Sequence, residues 1–474
     1  MRYNSILFLI AASIIAMIFW ILVDNTYDAG DSITHYAIAH YSWRHPYLLF
    51  DNWGKPVFTI LSSPFAQFGW KGITFFNSCT GILACWLIAE IIHKLKWRVS
   101  PYAALLLFFI PNYPLALNSG LTEPLYALLL TLTVYYSVVG KYMLSAIAIS
   151  FLPFVRSEGF ISIMVVAVFF IASSKWKEIL YMLTGTLCIS VAGMFVHDKN
   201  ILWVFSTNPY AVSQPVDTYG AGAWSDYFSK LYYMTGIPFT ALFWIASIVL
   251  TIILIKKIGS SLKTAIVSTE YLLLGLFFSF FLAHVVFWKF GLFNSFGMSR
   301  VLISIVPIGL LMVCYLFDWL LVYSDKNILT AGICAFVCVL FPFLNNKSAW
   351  NFSKEFKEDA EIAEIKKISS DIRIDTFQTD RIYYTSTPLM VLLKCDIYDT
   401  CKYKLINKFK KDIKPGYSYI VVKDQWSMKM ESTIMNEDLI FAGVKKIYSR
   451  QLSETNSVDI YSSDQNAAVY RTGK

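Results

Sequence analysis

The chain has 474 residues, 56% of them hydrophobic and only 15% charged, against about 25% charged in an ordinary soluble protein. Of its 72 Asp, Glu, Lys and Arg residues, 39 lie after position 346, so an apolar region (1–346) precedes a polar one (347–474), and a single water-soluble globule is excluded. The net charge of +8 is no argument for nucleic acid, because basic residues gather at the cytoplasmic ends of membrane spans.

A helix needs about 20 apolar residues to cross a bilayer. The stretches 6–23, 72–93, 100–117, 121–139, 142–155, 159–173, 179–196, 235–255, 270–288, 300–323 and 327–345 meet or approach that length, which predicts about eleven spans. The first is followed by Asp24-Asn25-Thr26 instead of a small-residue cleavage site, and reads as a retained helix. The pair 142–155 and 159–173 is short, and Arg156-Ser157-Glu158-Gly159 divides it. With the N-terminus in the cytoplasm, Lys94, Lys96, Arg98, Lys141, Lys175, Lys177, Lys256, Lys257, Lys263 and Lys326 all fall inside. The outer loops are then 24–71, 112–120, 156–158, 197–234 and 289–299, and the polar region 347–474 emerges outside. Function on a helical scaffold concentrates in such long loops.

The loop 24–71 is the richest in chemistry. Asp28 and Asp31 follow the first span, and 32–43 has helical spacing that suits a helix lying on the membrane surface. Asp31 sits at its first turn, with His35 one turn later on the same face. Asp31 reads either as an N-cap or as a carboxylate placed to take a proton from a hydroxyl. Lys55, in Trp53-Gly54-Lys55-Pro56, is either a snorkelling anchor or a point charge for a phosphate. Downstream, Thr122 looks like the N-cap of a helix that begins Glu123-Pro124, and Glu123 puts a second carboxylate on the outer side. Arg300 opens the tenth span, where a guanidinium grips either a lipid headgroup or a substrate phosphate.

The region 347–474 begins with helical patterning. Short apolar runs follow at 381–384, 417–422, 445–448 and 458–461 that read as strands, so a small α/β domain is expected. Six of the eight cysteines lie in apolar stretches. Cys395 and Cys401 lie in the polar region, where a disulfide and two free thiols are both open.

In layout, and in a few short motifs, residues 1–325 resemble the membrane-embedded C-type glycosyltransferases, most of all the branch of protein O-mannosyltransferases and bacterial aminoarabinose transferases. The motifs are Asp31 in Asp28-Ala29-Gly30-Asp31-Ser32, Lys55-Pro56, Leu121-Thr122-Glu123-Pro124, and Arg300 followed by Pro307. The family often has an acidic pair where this chain has Asp31-Ser32, and Lys-Pro-Pro where it has Lys55-Pro56-Val57. The resemblance implies a polytopic α-helical membrane enzyme of the bacterial inner membrane, with its C-terminal domain in the periplasm. It implies an inverting transfer of a sugar from a polyprenyl-phosphate donor to a hydroxyl of a lipid, glycan or protein acceptor. Asp31 and Glu123 are then the catalytic candidates, Lys55 and Arg300 hold the donor phosphate, and Asp28, His35 and Arg156 are secondary candidates. Some relatives use a divalent cation between two acidic residues, so a cation held by Asp31 and Glu123 is open, and no cofactor is otherwise expected. The loop 198–234, with Pro209-Tyr210 and Tyr219-Gly220-Ala221-Gly222, is a candidate cover for the site. A transporter or lipid flippase would put charges in mid-span and show repeats, and neither is evident in the sequence. A non-catalytic envelope assembly protein, or another lipid-using enzyme such as a polymerase or acyltransferase, is the remaining alternative.

Overall fold

The computed structural model describes residues 3–207, 219–324, 327–371, 381–406, 417–423, 444–454 and 456–462. Lys326 and Pro209-Tyr210 lie outside the described residues. Contacts divide the chain into two compact units, one of Met1–Tyr27 with Pro46–Lys357 and one of Asp28–His45 with Glu358–Lys474. Composition changes at 346, whereas contacts change near 357 and also set apart the segment after the first span.

In the first unit, six helices among the described residues are long and apolar enough to cross a membrane. They are Ser5–Leu22, Trp70–Lys94, Ile237–Ser260, Thr269–Phe290, Ser299–Tyr323 (whose first turns are 3-10) and Asn327–Leu344. An 18-residue helix is about 27 Å long, close to the ~30 Å hydrocarbon core of a bilayer. In the apolar 18-residue stretch of Ser299–Tyr323, 89% of the residues are buried, and this helix forms the centre, whereas in Asn327–Leu344 only 17% are. The outlying helices expose Ile10, Ile14, Ile18, Leu329, Ile333 and Phe336. A surface of that kind is unstable in water and at home in lipid. The chain is a multi-pass membrane protein.

The other five apolar stretches form shorter elements. Stretch 100–117 becomes a 3-10 helix, Pro101–Phe109, and a short helix, Tyr113–Leu117. The break falls at Pro111 and Pro114, which offer no backbone donor to continue the helix before them, whereas Pro101 stands at a helix start, where proline is tolerated. Stretch 121–139 forms Glu123–Val138, 142–155 forms Tyr142–Ser150 with a 3-10 turn at Leu152–Phe154, and 159–173 forms Gly159–Ala172. Stretch 179–196 is covered by Trp176–Tyr181 and Thr184–Gly193.

Polar pins tie the spans together near their ends. Glu90 accepts from Tyr3 Oη (2.8 Å) and Ser5 Oγ (3.1 Å). Glu270 accepts from Lys257 Nζ (2.6 Å) and Tyr315 Oη (2.8 Å).

The second unit holds a five-stranded sheet with β1 Ile382–Tyr384, β2 Tyr403–Leu405, β3 Ser418–Lys423, β4 Lys445–Gln451 and β5 Ser457–Ser462. The order is β2-β1-β3-β5-β4, with β1 parallel to β2 and β3, and β5 antiparallel to β3 and β4. Parallel neighbours need a crossover, and the helix Thr387–Leu392 supplies it between β1 and β2. Tyr383, Ile406, Tyr419, Val444 and Tyr461 form a core on the sheet. The helix Ala29–Tyr41 belongs to this unit. Tyr41 Oη donates to Cys395 O (3.0 Å), and His45 Nε2 lies 3.2 Å from both oxygens of Asp396. Its Ile33, Ala37 and Ile38 are buried in protein, so this helix does not offer an apolar face to a membrane surface as its spacing suggested. Cys401 carries an exposed free thiol, so no disulfide joins it to the buried Cys395.

Candidate active site

In the second unit, Asp28 is the N-cap of Ala29–Tyr41, and its side chain accepts from the Asp31 N–H (3.0 Å). Capping therefore falls to Asp28, not to Asp31, which stands in the first turn. An extended residue one turn earlier can aim its carboxylate back at the open N–H groups, and Asp28 has that backbone (φ −151°, ψ 102°). His35 is buried one turn after Asp31. Asp28→Ala is expected to lower thermal stability in detergent by about 1 kcal/mol, with Asp28→Asn restoring most of it.

In the first unit, four of the residues singled out from sequence meet in one buried cluster. Glu123, 1% exposed, opens its helix, and its Oε1 lies 2.6 Å from Arg156 Nη1 and 3.8 Å from Arg300 Nε. Arg156 Nη2 donates to Glu158 Oε1 (2.8 Å), and His284 Nε2 lies 3.4 Å from the same oxygen. Lys55, 7% exposed, donates from Nζ to Ser157 Oγ (3.1 Å). Arg300 Nη2 donates to Met298 Sδ (3.0 Å), whose backbone carbonyl accepts from Tyr227 Oη (3.3 Å).

Local geometry explains how each group is held. The Asp51 carboxylate accepts from the Gly54 N–H (2.6 Å), and the Gly54 carbonyl accepts from Thr59 Oγ1 (2.9 Å). Between these anchors Lys55 takes φ +64° as the residue before the helix Pro56–Ala66, a left-handed conformation that disfavours a side chain. Thr122 occupies the N-cap position but makes no capping bond. Its backbone is already helical, and its hydroxyl turns to Glu123 Oε2 (3.5 Å). The Arg156–Glu158 turn closes tightly because Gly159 lies against the preceding backbone, where an added Cβ would stand 2.4 Å from Leu152 C.

The buried carboxylate of Glu123, the half-buried one of Glu158 and three buried or half-buried cations each lose hydration, at a cost of up to several kcal/mol. They persist together because Arg156 lies against both carboxylates and Arg300 against Glu123, while the Glu158 charge favours the charged form of Lys55. Burial alone would raise the Glu158 carboxyl, but Arg156 and then His284 hold it well below its ordinary range. Burial pushes the Lys55 ammonium down to about 8, with Glu158 opposing that shift and Arg156 adding to it.

Sequence reading missed Glu158, Ser157 and His284. Glu158 and Ser157 were visible as the polar break between two apolar runs. His284 was visible as a lone histidine inside a span, a residue type that seldom sits there without a role.

A divalent cation does not fit this cluster. The nearest groups to Glu123 Oε1 are two guanidiniums, which repel a cation. Among the described residues, no group of three or more His, Cys, Asp or Glu side chains converges to hold one.

The chain shares its fold with two solved proteins, an ArnT and an oligosaccharyltransferase. The chain superposes on ArnT from Cupriavidus metallidurans bound to undecaprenyl phosphate with a TM-score of 0.62 at 10% identity, covering 98% of each chain. The apo state of the same ArnT gives the same score and identity over 96% of this chain and 97% of that one. The apo oligosaccharyltransferase of Archaeoglobus fulgidus matches with a TM-score of 0.53 at 10% identity, over 99% of this chain and 75% of that one. No protein-family model and no curated protein matches the sequence.

Proposed function

We propose that this protein is an inverting glycosyltransferase that moves a sugar from a polyprenyl-phosphate donor to a hydroxyl acceptor at the outer face of a bacterial inner membrane. The supporting observation is the buried grouping of Lys55, Arg156 and Arg300 around Glu123 and Glu158, in a fold shared with an ArnT bound to undecaprenyl phosphate. In this reading the chain crosses the membrane about eleven times, its N-terminus is cytoplasmic, and residues 347–474 form a periplasmic domain.

The acceptor hydroxyl oxygen bonds to the anomeric carbon as the bond from that carbon to the donor phosphate oxygen breaks. The hydroxyl proton goes to Asp31, and the polyprenyl phosphate leaves with one more negative charge than it carried as a diester. Lys55 and Arg300 meet that charge in a site where low polarity strengthens electrostatics. Glu123 faces two guanidiniums and orients them, and Asp31 is proposed for the proton on its sequence motif alone.

Membranes containing the protein, incubated with a panel of radiolabelled polyprenyl-phosphate sugars, are expected to remove label from at least one donor faster than membranes without it. Equal loss from every donor in both would overturn the reading.

Lys55 adds a pH signature. A lysine is charged below its pKa, so the cation is present below about pH 8 and is lost as pH rises. Donor KM is expected to climb above that pH, approaching about tenfold per unit. Lys55→Met should begin with a high KM that stays flat across the same range, and a matching rise in the variant would assign the titration to another group.

A further inference from the structure

At the end of the first unit that carries Lys94, Lys96 and Arg98, a groove of about 890 Å3 runs between the helices Ser5–Leu22 and Asn327–Leu344. Its floor is the 3-10 helix Pro101–Phe109, including Leu105, Leu106 and Phe109. Its outer wall is one face of Asn327–Leu344, where Ile328, Ala331, Gly332, Ala335 and Val339 recur at helical spacing. From Ile328 to Val339 that wall is about 16 Å long. Half of the ~30 Å hydrocarbon core of a bilayer is about 15 Å, so the groove is one leaflet deep. The small residues Ala331, Gly332 and Ala335 leave the space that large side chains would fill.

The rim of the groove is polar and basic. His93, Lys96, Arg98 and Tyr3 line it. Two carboxylates stand nearby, and both are engaged: Glu90 accepts from Tyr3 and Ser5, and Asp318 accepts from the Arg98 backbone N–H (2.5 Å). Arg98 is anchored by a bond from Nη1 to Leu321 O (3.0 Å). Lys96 is exposed and forms no ion pair among the described residues. It also holds a left-handed backbone (φ +55°) just past the helix Trp70–Lys94, a position that usually falls to glycine.

We infer that this groove binds one anionic phospholipid, with an acyl chain along Pro101–Phe109 and the headgroup phosphate at Lys96. A channel one leaflet deep with an unpaired ammonium at its mouth matches a lipid in both length and charge. Its volume lies in the range of specific small-molecule sites, ~300–1,000 Å3. This site is separate from the Glu123 cluster, and the inference does not rest on the transferase reading.

The test is native mass spectrometry of the full-length protein in detergent, supplied in turn with phosphatidylglycerol and phosphatidylcholine. The wild type is expected to retain one phosphatidylglycerol at least fivefold more often than phosphatidylcholine. Lys96→Glu should abolish that preference. Gly332→Trp should empty the groove; an added Cβ at Gly332 meets no atom within 4 Å, and a thermal midpoint in detergent like that of the wild type is the check that the variant folds. Equal retention of the two lipids by the wild type would overturn the role of charge. Unchanged phosphatidylglycerol retention in Gly332→Trp would place the lipid elsewhere and overturn the groove.

Discussion

Asp31→Asn is expected to slow donor consumption by about 10²–10⁴-fold, the usual contribution of a general base, with little change in stability. The contrast between those two effects follows from the helix start. Asp28, not Asp31, accepts the capping bond, and asparagine keeps the size of the side chain while removing its basic oxygen. Expression, thermal midpoint and turnover measured on the same preparations separate the two effects. Asp28→Ala should show the opposite pattern, a modest loss of stability with turnover largely kept. Full activity in Asp31→Asn would move the base to another carboxylate while leaving the transferase class in place.

Glu123→Ala should be the most damaging single change in the first unit. Its carboxylate faces Arg156 at 2.6 Å and Arg300 at 3.8 Å and is almost wholly buried. Without it two guanidiniums face each other with only Glu158 to offset them. Removing one partner of a buried ionic pair typically costs about 3–5 kcal/mol. A large fall in thermal midpoint is expected in detergent, together with loss of donor turnover. Glu123→Gln retains a hydrogen-bond acceptor and should lose less stability, yet it should also weaken the hold on both cations and so raise donor KM. Arg156→Lys keeps the charge, but one ammonium cannot reproduce the planar fork that reaches both Glu123 and Glu158. A Glu123→Ala protein as stable as the wild type would mean that the two arginines find water instead, and that the cluster is wetter than its burial implies.

Reading from sequence went furthest where the signal is local. The six long spans coincide with six of the apolar stretches, because a run of apolar residues in lipid has little choice but helix. The strands at 382–384, 418–423, 445–451 and 457–462 follow from short apolar runs between polar ones. The break at 100–117 was also local, written in Pro111 and Pro114, yet average hydropathy outweighed them. The shift of the cap from Asp31 to Asp28 was harder to read, since both residues suit the position and only the start of the helix distinguishes them.

By itself the sequence determined that this is a multi-pass helical chain with a polar region at its C-terminal end, and it supplied Lys55, Glu123, Arg156 and Arg300 as separate candidates. Only the tertiary structure decided that these four form one buried cluster, that Glu158 and His284 complete it, and that the helix carrying Asp31 belongs to the unit of the C-terminal sheet. The physical reason is distance along the chain. Apolar periodicity reports what each segment does in a low-polarity solvent. The pairing of charges about 30 to 180 positions apart depends on which helix ends pack together, which local pattern does not encode.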